Sequence, residues 1–351
     1  MPRTLASLLL LALVASACSS AATHAPTQGT SAAGSTAVAS TGSSPTTAIP
    51  SPATGRLFAV VTAETEHAVL AVSAQTGRVL RRRRVVGDPT TLSAAPEGPV
   101  VVVSPDAGAV TILSWPALRR LAVLHAFRSP QIAAVTPDGE WALISDAATG
   151  DVSTIELAND RVVGRVHVGF GAHHMAVSPD QRRAWVALGE TARTIVRLDL
   201  RNPRHPLVVG RIHLRQPAHD LAFTPDAQTV WVTSAKAPDV TVRSARTGRL
   251  LATVPAGPAP QHLAFAKGPP VAYVTSGYGS TIESVDSTTR RVIGRSPVPY
   301  GSFNLSTLEN RVATTSLLDG RVTIFGRDLR RRLSVTVAPE AREIVLLHWP
   351  T

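Results

Sequence analysis

A unit of roughly 42 residues recurs along most of the chain, and this repeat limits the possible folds more than any other feature. Its clearest copies read MAVSPD at residues 175–180 and LAFTPD at residues 221–226, followed by AWVA and VWVT. The central position of that second segment recurs in seven units, 40 to 46 residues apart, at Phe58, Val101, Leu143, Trp185, Trp231, Tyr273 and Ala313. Each unit has room for four short strands. We therefore predict an all-β fold, a seven-bladed β-propeller with four-stranded blades.

The two ends of the repeat region complete this arrangement. The first unit begins at Leu57 with what should be its second strand, so it lacks a first strand. A short apolar segment, IVLL at residues 344–347, follows the seventh unit and fits that place. We predict that the C-terminal strand completes the first blade, which removes an open sheet edge from a propeller spanning residues 55–351.

The N-terminus has the features of an export signal. Arg3 precedes an uncharged, leucine-rich run that ends at Ala17, and this pattern is typical of a secretory signal peptide. The run is too short to span a bilayer as a stable helix. It ends in ASAC at residues 15–18, which resembles the bacterial lipobox, whose cysteine is diacylated and becomes N-terminal. We predict a lipoprotein signal peptide at residues 1–17 and lipidation of Cys18, the only cysteine; an ordinary signal peptide with a free cysteine is the alternative.

The next segment is predicted to be a tether. Residues 19–54 contain 32 Ser, Thr, Ala, Pro or Gly among 36 and carry no charged side chain. Such a segment buries too little apolar surface to fold. We therefore expect residues 18–54 to form a disordered, lipid-anchored linker on the extracytoplasmic side of a bacterial membrane, in the cell envelope.

The repeat resembles the YVTN family of bacterial propellers. In that family an apolar-Ala-Phe-Ser-Pro-Asp-Gly segment precedes Ala-Tyr-Val-Thr-Asn and a Thr-Gly-Arg turn, as TGR at residues 247–249 does here. The resemblance covers residues 57–348 and is strongest in blades three to six. It implies relatives among surface-layer and periplasmic proteins, and a propeller type similar to haem-binding domains of nitrite reductases and to sugar lactonases. It implies no single activity.

The candidate site lies where the chain enters each innermost strand. In a propeller these entrances surround the axial funnel, which is the default ligand site. The predicted entrance residues are Thr91, Gln131, His174, Asp220, His262, Asn304 and Glu343, with His173, His219 and Gln261 one position earlier. Four of the 11 histidines thus fall in three successive blades. They indicate either a ligand-binding cluster or polar residues that cap backbone groups.

The chemistry of this ring stays open at the sequence level. Imidazole is the commonest protein metal ligand, and haem needs one axial ligand, so a metal ion or haem is an alternative although we predict no cofactor. A calcium lactonase favours more carboxylate or amide ligands than this ring contains, and Asp220, Asn304 and Glu343 stay open as candidates for that role. Neither a Gly-x-Ser-x-Gly nor a His-Glu-x-x-His motif is present, so we predict no catalytic residue and favour a protein that is not an enzyme.

The charge is strongly positive, +11, and comes from arginine, since Lys236 and Lys267 are the only lysines. The repeat places many arginines on the face opposite the funnel: Arg78, Arg119, Arg120, Arg161, Arg182, Arg183, Arg201, Arg204, Arg246, Arg249, Arg290 and Arg291, with residues 81–84 and 330–332 nearby. The tether leaves from this face, so we expect it to meet anionic headgroups; a solvated, silent surface is the alternative. Without interleaved aromatic residues we do not expect a nucleic-acid partner.

Two functions follow as hypotheses. The leading one is a monomeric binding or scaffold module that holds a protein or envelope ligand over the funnel. The alternative is an enzyme or cofactor carrier, lactonase-like or haem-linked, that uses the same histidine-rich funnel. They differ in whether a metal or haem accompanies the purified protein.

Overall fold

The computed structural model describes residues 56–189, 191–268 and 270–349, and they form seven four-stranded antiparallel sheets. The predicted signal peptide, Cys18 and linker lie outside the described residues. The first three blades, each written from its innermost strand outwards, consist of β28 (Ile344–His348), β1 (Leu57–Ala63), β2 (Ala68–Ser73) and β3 (Val79–Arg84); β4 (Thr91–Ala94), β5 (Val100–Ser104), β6 (Ala109–Leu113) and β7 (Arg120–Leu124); β8 (Pro130–Val135), β9 (Trp141–Asp146), β10 (Asp151–Glu156) and β11 (Arg161–His167).

The remaining four blades repeat the same order. They consist of β12 (Met175–Val177), β13 (Arg183–Ala187), β14 (Thr194–Asp199) and β15 (Leu207–His213); β16 (Leu221–Phe223), β17 (Thr229–Val232), β18 (Asp239–Ser244) and β19 (Leu250–Pro255); β20 (His262–Phe265), β21 (Val271–Ser276), β22 (Thr281–Asp286) and β23 (Arg291–Pro297); β24 (Ser302–Leu308), β25 (Arg311–Ser316), β26 (Arg321–Gly326) and β27 (Arg331–Thr336). The predicted seven-bladed propeller is confirmed.

The C-terminal strand closes the ring as predicted. β28 pairs with β1 in an antiparallel register that runs from Leu57 opposite His348 to Val61 opposite Ile344. The indole of Trp115 in blade two donates a hydrogen bond to the carbonyl oxygen of His348 at 2.6 Å. The first blade is therefore tied both to the end of the chain and to its neighbour.

Packing between blades uses the large residues of the repeat. The ring of Trp185 meets Phe223 of the next blade edge-on, with centroids 6.0 Å apart, and Trp231 meets Phe265 in the same way at 5.5 Å. All residues of β1 and β5 are buried, whereas the outermost strands β3 and β15 are mostly exposed. The core thus consists of apolar layers between adjacent sheets, as expected for sheets covered on both faces.

The Thr-Pro-Asp segment forms the turn between the first and second strands of a blade. In blade five the hydroxyl of Thr224 donates to Asp226 Oδ1 at 2.6 Å and accepts from the backbone amide of Thr229 at 3.1 Å. Asp226 Oδ1 also accepts from the amide of Gln228 at 3.0 Å. Asp and Thr recur here because their side chains satisfy backbone groups that a tight turn leaves unpaired.

His174, Asp220 and Glu343 lie just before their innermost strands as predicted, whereas the innermost strands of the other four blades begin earlier. Thr91 and His262 are the first residues of β4 and β20, and Gln131 and Asn304 lie inside β8 and β24, instead of just before a strand. A register shift between Pro130 and Ala133 adds a residue to blade three and moves Gln131 one position along its entrance. No helix in the described part of the chain is long and apolar enough to cross a membrane.

Candidate functional site

The axial funnel is a cavity of about 510 Å³ at the face where the chain enters the innermost strands. All the predicted candidate residues line it: Gln131, His173, His174, His219, Asp220, His262, Asn304 and Glu343. Thr91 and Gln261 line it as well. The seven-fold arrangement of the repeat therefore brings together side chains that lie far apart in the sequence.

In blades four to six the backbone of the entrance is held by the second strand of the same blade. The amide of His219 donates to the carbonyl oxygen of Thr233 at 2.9 Å, and the amide of Thr233 donates to Asp220 at 2.9 Å. In blade four the amide of His173 is bonded to Ala187 in the same way, also at 2.9 Å. In blade six the amide of Gln261 is bonded to Thr275 in the same way at 2.8 Å, so the entrances of blades four to six share one backbone arrangement.

Three imidazoles from three blades converge in the funnel. The ligand nitrogens of His174, His219 and His262 all lie within 4.8 Å of one another. The Nε2 atoms of His219 and His262 are 3.3 Å apart. Two nitrogens bound to one tetrahedral zinc ion at about 2.0–2.1 Å are separated by about 3.3 Å, so this pair already has the required spacing. In the described part of the chain no other group of three or more His, Cys, Asp or Glu side chains converges in this way.

Burial keeps two of these imidazoles neutral. Desolvation, reinforced by the neighbouring imidazoles, lowers the pKa of His174 well below its usual 6.5. Burial and the charge of His262 lower the pKa of His219 to about 3, although the charge of Asp220 opposes this. Both side chains are less than one-tenth exposed, at 8% and 7%. A metal ion binds the neutral form of imidazole, so neither of these two residues has to lose a proton at neutral pH.

Asp220 orients the third imidazole. Its Oδ2 atom accepts a hydrogen bond from the amide of Leu263 at 3.0 Å and lies 3.5 Å from Nδ1 of His262. Burial alone would lower the pKa of His262, but the hydrogen bond and charge of Asp220 outweigh it and raise that pKa. With Nδ1 turned towards Asp220, Nε2 faces His219. A carboxylate behind a histidine is the usual arrangement around metal-binding imidazoles.

The fourth histidine adjoins this group. Nδ1 of His173 lies 2.9 Å from Nδ1 of His174, and their ring centroids are 4.4 Å apart. We name His174, His219 and His262 the histidine triad, with His173 as its neighbour.

The other predicted entrance residues contact the backbone. Nε2 of Gln131 donates to the carbonyl oxygen of Ser129 at 3.2 Å, and Nδ2 of Asn304 donates to the carbonyl oxygen of Arg342 at 2.9 Å. The carboxylate of Glu343 accepts from the amide of Ile344 at 3.1 Å. Burial raises the pKa of Glu343 to about 7. These side chains act as caps in the part of the ring that faces the triad.

Arg342, Tyr278 and Phe303 are among the residues of the funnel wall that sequence reasoning missed. Arg342 forms an ion pair with Glu64 at 2.9 Å. It stands one position before Glu343, the same place that His173 and His219 take in their blades, so the repeat contained the signal. Tyr278 and Phe303 lie in loops and strand ends that the repeat does not mark; their rings meet edge-on at 5.0 Å.

The opposite face of the propeller carries the predicted arginines at the connections between first and second and between third and fourth strands. Several of them pair with acids: Arg201 with Asp199, and Arg183 with Asp180 at 3.0 Å. Such exposed pairs contribute little to stability, about 0–1 kcal/mol each. They show that part of this basic face is neutralised by its own carboxylates.

Solved structures that resemble this chain share its fold at low sequence identity. A functionally unknown protein from Desulfotomaculum acetoxidans DSM 771 is 15% identical, with a TM-score of 0.73, over 84% of this chain and 99% of that one. Apo AztD from Citrobacter koseri is 11% identical, with a TM-score of 0.65, over 84% and 98%. Dihydro-heme d1 dehydrogenase NirN, in complex with DHE, is 18% identical, with a TM-score of 0.62, over 80% and 64%.

These similarities establish the propeller and nothing finer, because the same propeller occurs in a dehydrogenase and in a protein of unknown function. No protein-family model matches this chain. No curated protein sequence matches it.

Proposed function

We propose that this chain is a metal-binding propeller of the cell envelope, in which the histidine triad holds one divalent transition-metal ion, with Zn²⁺ as the first candidate. The observation that carries this proposal is the convergence of three imidazole nitrogens from separate blades within 4.8 Å. Imidazole ligands suit zinc, copper, iron and nickel, whereas calcium and magnesium prefer oxygen. The proposal replaces the simple protein-binding scaffold as the leading function.

The arrangement favours a bare metal ion over the two other cofactor hypotheses. A calcium lactonase needs several oxygen ligands. Oδ2 of Asp220 is directed to His262 and to the amide of Leu263, and the side-chain amide of Asn304 is held by its bond to the carbonyl oxygen of Arg342. A haem iron takes one axial imidazole on a side, whereas the triad turns nitrogens from three rings towards one point.

Three protein ligands leave further coordination positions open towards the funnel. Zinc sites with three protein ligands and an open position bind water or a substrate, and closed four-ligand sites are structural. The cavity of about 510 Å³ in front of the triad gives access to such a position. This geometry supports reversible binding or carriage of the metal; no described residue besides the partly buried Glu343 offers a second acid for catalysis there.

A protein partner on the funnel face is the second candidate. Four large apolar side chains are more than half exposed on this face: Phe170, Tyr278, Tyr300 and Leu318. They lie in the loops that surround the triad, and the rings of Tyr278 and Tyr300 are 6.0 Å apart. Exposed aromatic residues of this kind are enriched at protein interfaces. A partner that docks there could deliver or accept the metal.

The envelope location rests on the sequence alone. The leucine-rich run before Cys18 supports export and lipidation, and the tether would leave the propeller at its basic face. We expect Cys18→Ser to release the protein from the membrane fraction into the aqueous fraction of expressing cells. Unchanged membrane retention of the variant would disprove the lipid anchor.

Metal binding is tested with the full chain carrying Cys18→Ser, freed of metal by dialysis against EDTA. We expect titration with Zn²⁺ against a chromophoric chelator to give one site. His174→Ala should weaken Zn²⁺ binding by more than the roughly 10–100-fold that loss of a supporting residue costs. His125→Ala, which removes an exposed histidine, is the matched control and should bind normally. Absence of stoichiometric binding, or equal binding by both variants, would refute the metal site.

A further inference from the structure

A second cavity lies between blades four and five, away from the funnel. It has a volume of about 580 Å³. Its wall consists of the connection between β15 and β16, the end of β17, the loop before β18, and side chains of β18 and β19. It shares no lining residue with the funnel. Nothing in the metal proposal uses it.

A buried arginine forms part of this wall. Arg243 lies on β18 and is 8% exposed. One of its terminal nitrogens donates to the carbonyl oxygen of Gly248 at 3.1 Å, while its Nε is buried and has no hydrogen-bond partner among the described residues. Burial lowers the pKa of this guanidinium. A buried cation with an unmet donor is costly unless an anion accompanies it.

More positive charge surrounds the opening of the cavity. Lys236, Arg215 and His213 line it and are exposed. Asp239 is the one acid among the described lining residues. The positive charge of this chain comes almost entirely from arginine, and Lys236 is one of only two lysines. The general excess of arginine therefore does not account for a lysine at this position. The cavity therefore combines one buried and several exposed cationic groups with a single carboxylate.

The rest of the wall is mixed in character. The hydroxyls of Thr241 and Thr253 supply polar groups, and Leu214, Pro217 and Leu250 supply apolar surface. A guanidinium binds carboxylate and phosphate oxygens through parallel charge-assisted hydrogen bonds, and an ammonium adds a mobile positive charge. Such a wall accommodates both an oxyanion and a short organic body.

We propose that this cavity is a binding site for a small organic anion, a carboxylate or a phosphate ester, whose oxyanion contacts Arg243 and Lys236. The inference is independent of the histidine triad. The anion would be a second ligand of this protein, bound outside the metal-binding funnel.

The experiment measures anion binding by isothermal titration calorimetry on the full chain carrying Cys18→Ser, at constant ionic strength with chloride as the balancing anion. Succinate, glycerol phosphate and inorganic phosphate are the probes. We expect at least one of them to bind with a 1:1 stoichiometry. A preference for succinate identifies a carboxylate, and a preference for glycerol phosphate identifies a phosphate ester.

Substitutions locate the binding. Lys236→Gln and Arg243→Gln should each weaken binding about tenfold, the scale of one lost charge-assisted hydrogen bond. Arg119→Gln, an exposed arginine of blade two, and His174→Ala in the funnel are controls that should leave binding unchanged. If Arg243→Gln does not fold, the exposed Lys236→Gln still decides. Lack of saturable binding of all three probes, or equal binding by Lys236→Gln, would overturn the proposal.

Discussion

Two parts of the same entrance ring use polar side chains for different purposes. In blades four to six the entrances place His174, His219 and His262 with their nitrogens directed at one another. In blades three and seven Gln131 and Asn304 occupy similar places, but their amides donate to backbone carbonyl groups. The repeat supplies polar side chains at these entrances, and a side chain that is hydrogen-bonded to the backbone is no longer available to a ligand.

The largest expected effect is on the stabilisation of the protein by zinc, which should depend on the histidine triad and not on Gln131 or Asn304. The double variant His219→Ala, His262→Ala should lose zinc-dependent stabilisation, whereas Gln131→Ala, Asn304→Ala should retain it. At a free Zn²⁺ concentration 100 times the dissociation constant, binding stabilises the native state by about 2.7 kcal/mol. Thermal unfolding with and without Zn²⁺ measures this difference. Equal zinc responses in the two double variants would show that the comparison is wrong.

The next effect concerns the residue that supports the triad. Asp220→Asn keeps an acceptor for the amide of Leu263 but removes the charge beside Nδ1 of His262. We expect Zn²⁺ affinity to fall about 10–100-fold, the usual cost of losing such a carboxylate. Competition with a chelator measures the affinity. Asp239→Asn, which lines the second cavity and not the funnel, should show no change. An unaltered Zn²⁺ affinity in Asp220→Asn would show that Asp220 does not orient His262.

A third effect depends on pH and concerns Glu343, one of the entrance residues that cap backbone groups. Because burial raises the pKa of Glu343 to about 7 from 4.5, the folded state keeps a proton there that the unfolded state releases. The stability that this retained proton gives the folded state is fully present below about pH 4.5 and is lost as the pH rises towards 7. Glu343→Gln should therefore be more stable than the parent above pH 7, by about 2 kcal/mol for a partly exposed carboxyl group.

Urea unfolding of the metal-free protein at pH 5 and pH 8 tests this expectation. The variant should gain stability relative to the parent at pH 8 and much less at pH 5. Glu97→Gln, in an exposed turn, is the control and should show no such difference. A gain of the same size at both pH values would mean that packing, and not ionisation, is responsible.

The smallest effect tests a single cap. The hydroxyl of Thr91 donates to the carbonyl oxygen of Gln131 at 2.7 Å and thereby joins blades two and three. Thr91→Val keeps the shape and removes this bond, so the free energy of unfolding should fall by about 0.5–1.5 kcal/mol with zinc affinity unchanged. A parallel loss of zinc affinity would show that the two parts of the ring are coupled.

The sequence predicted the architecture well because the repeat is regular. The seven positions from Phe58 to Ala313, and the missing first strand of the opening blade, sufficed for the blade number and the closure by β28. Aromatic residues at the repeat positions Trp185 and Trp231 pack between blades as their spacing requires. The Thr-Pro-Asp motif also predicts the local turn, in which the hydroxyl of Thr224 donates to Asp226.

The site was predicted only in part. The sequence identified every residue of the triad as an entrance residue, but it did not distinguish His174 from Gln131 in role. It also placed Gln131 just before its strand, and the register shift in blade three puts it inside β8. Arg342 was overlooked although it occupies the position equivalent to His173 and His219.

The sequence by itself therefore determined the number of blades, the way the ring closes and the polar entrance residues that line much of the funnel, since these follow from spacing and strand pairing. Only the tertiary structure decided which of these side chains meet. His174, His219 and His262 are more than 40 residues apart from one to the next, and their convergence within 4.8 Å depends on how three blades curve around the axis. Spacing along a chain does not encode that curvature, because it arises from the packing of whole sheets against one another.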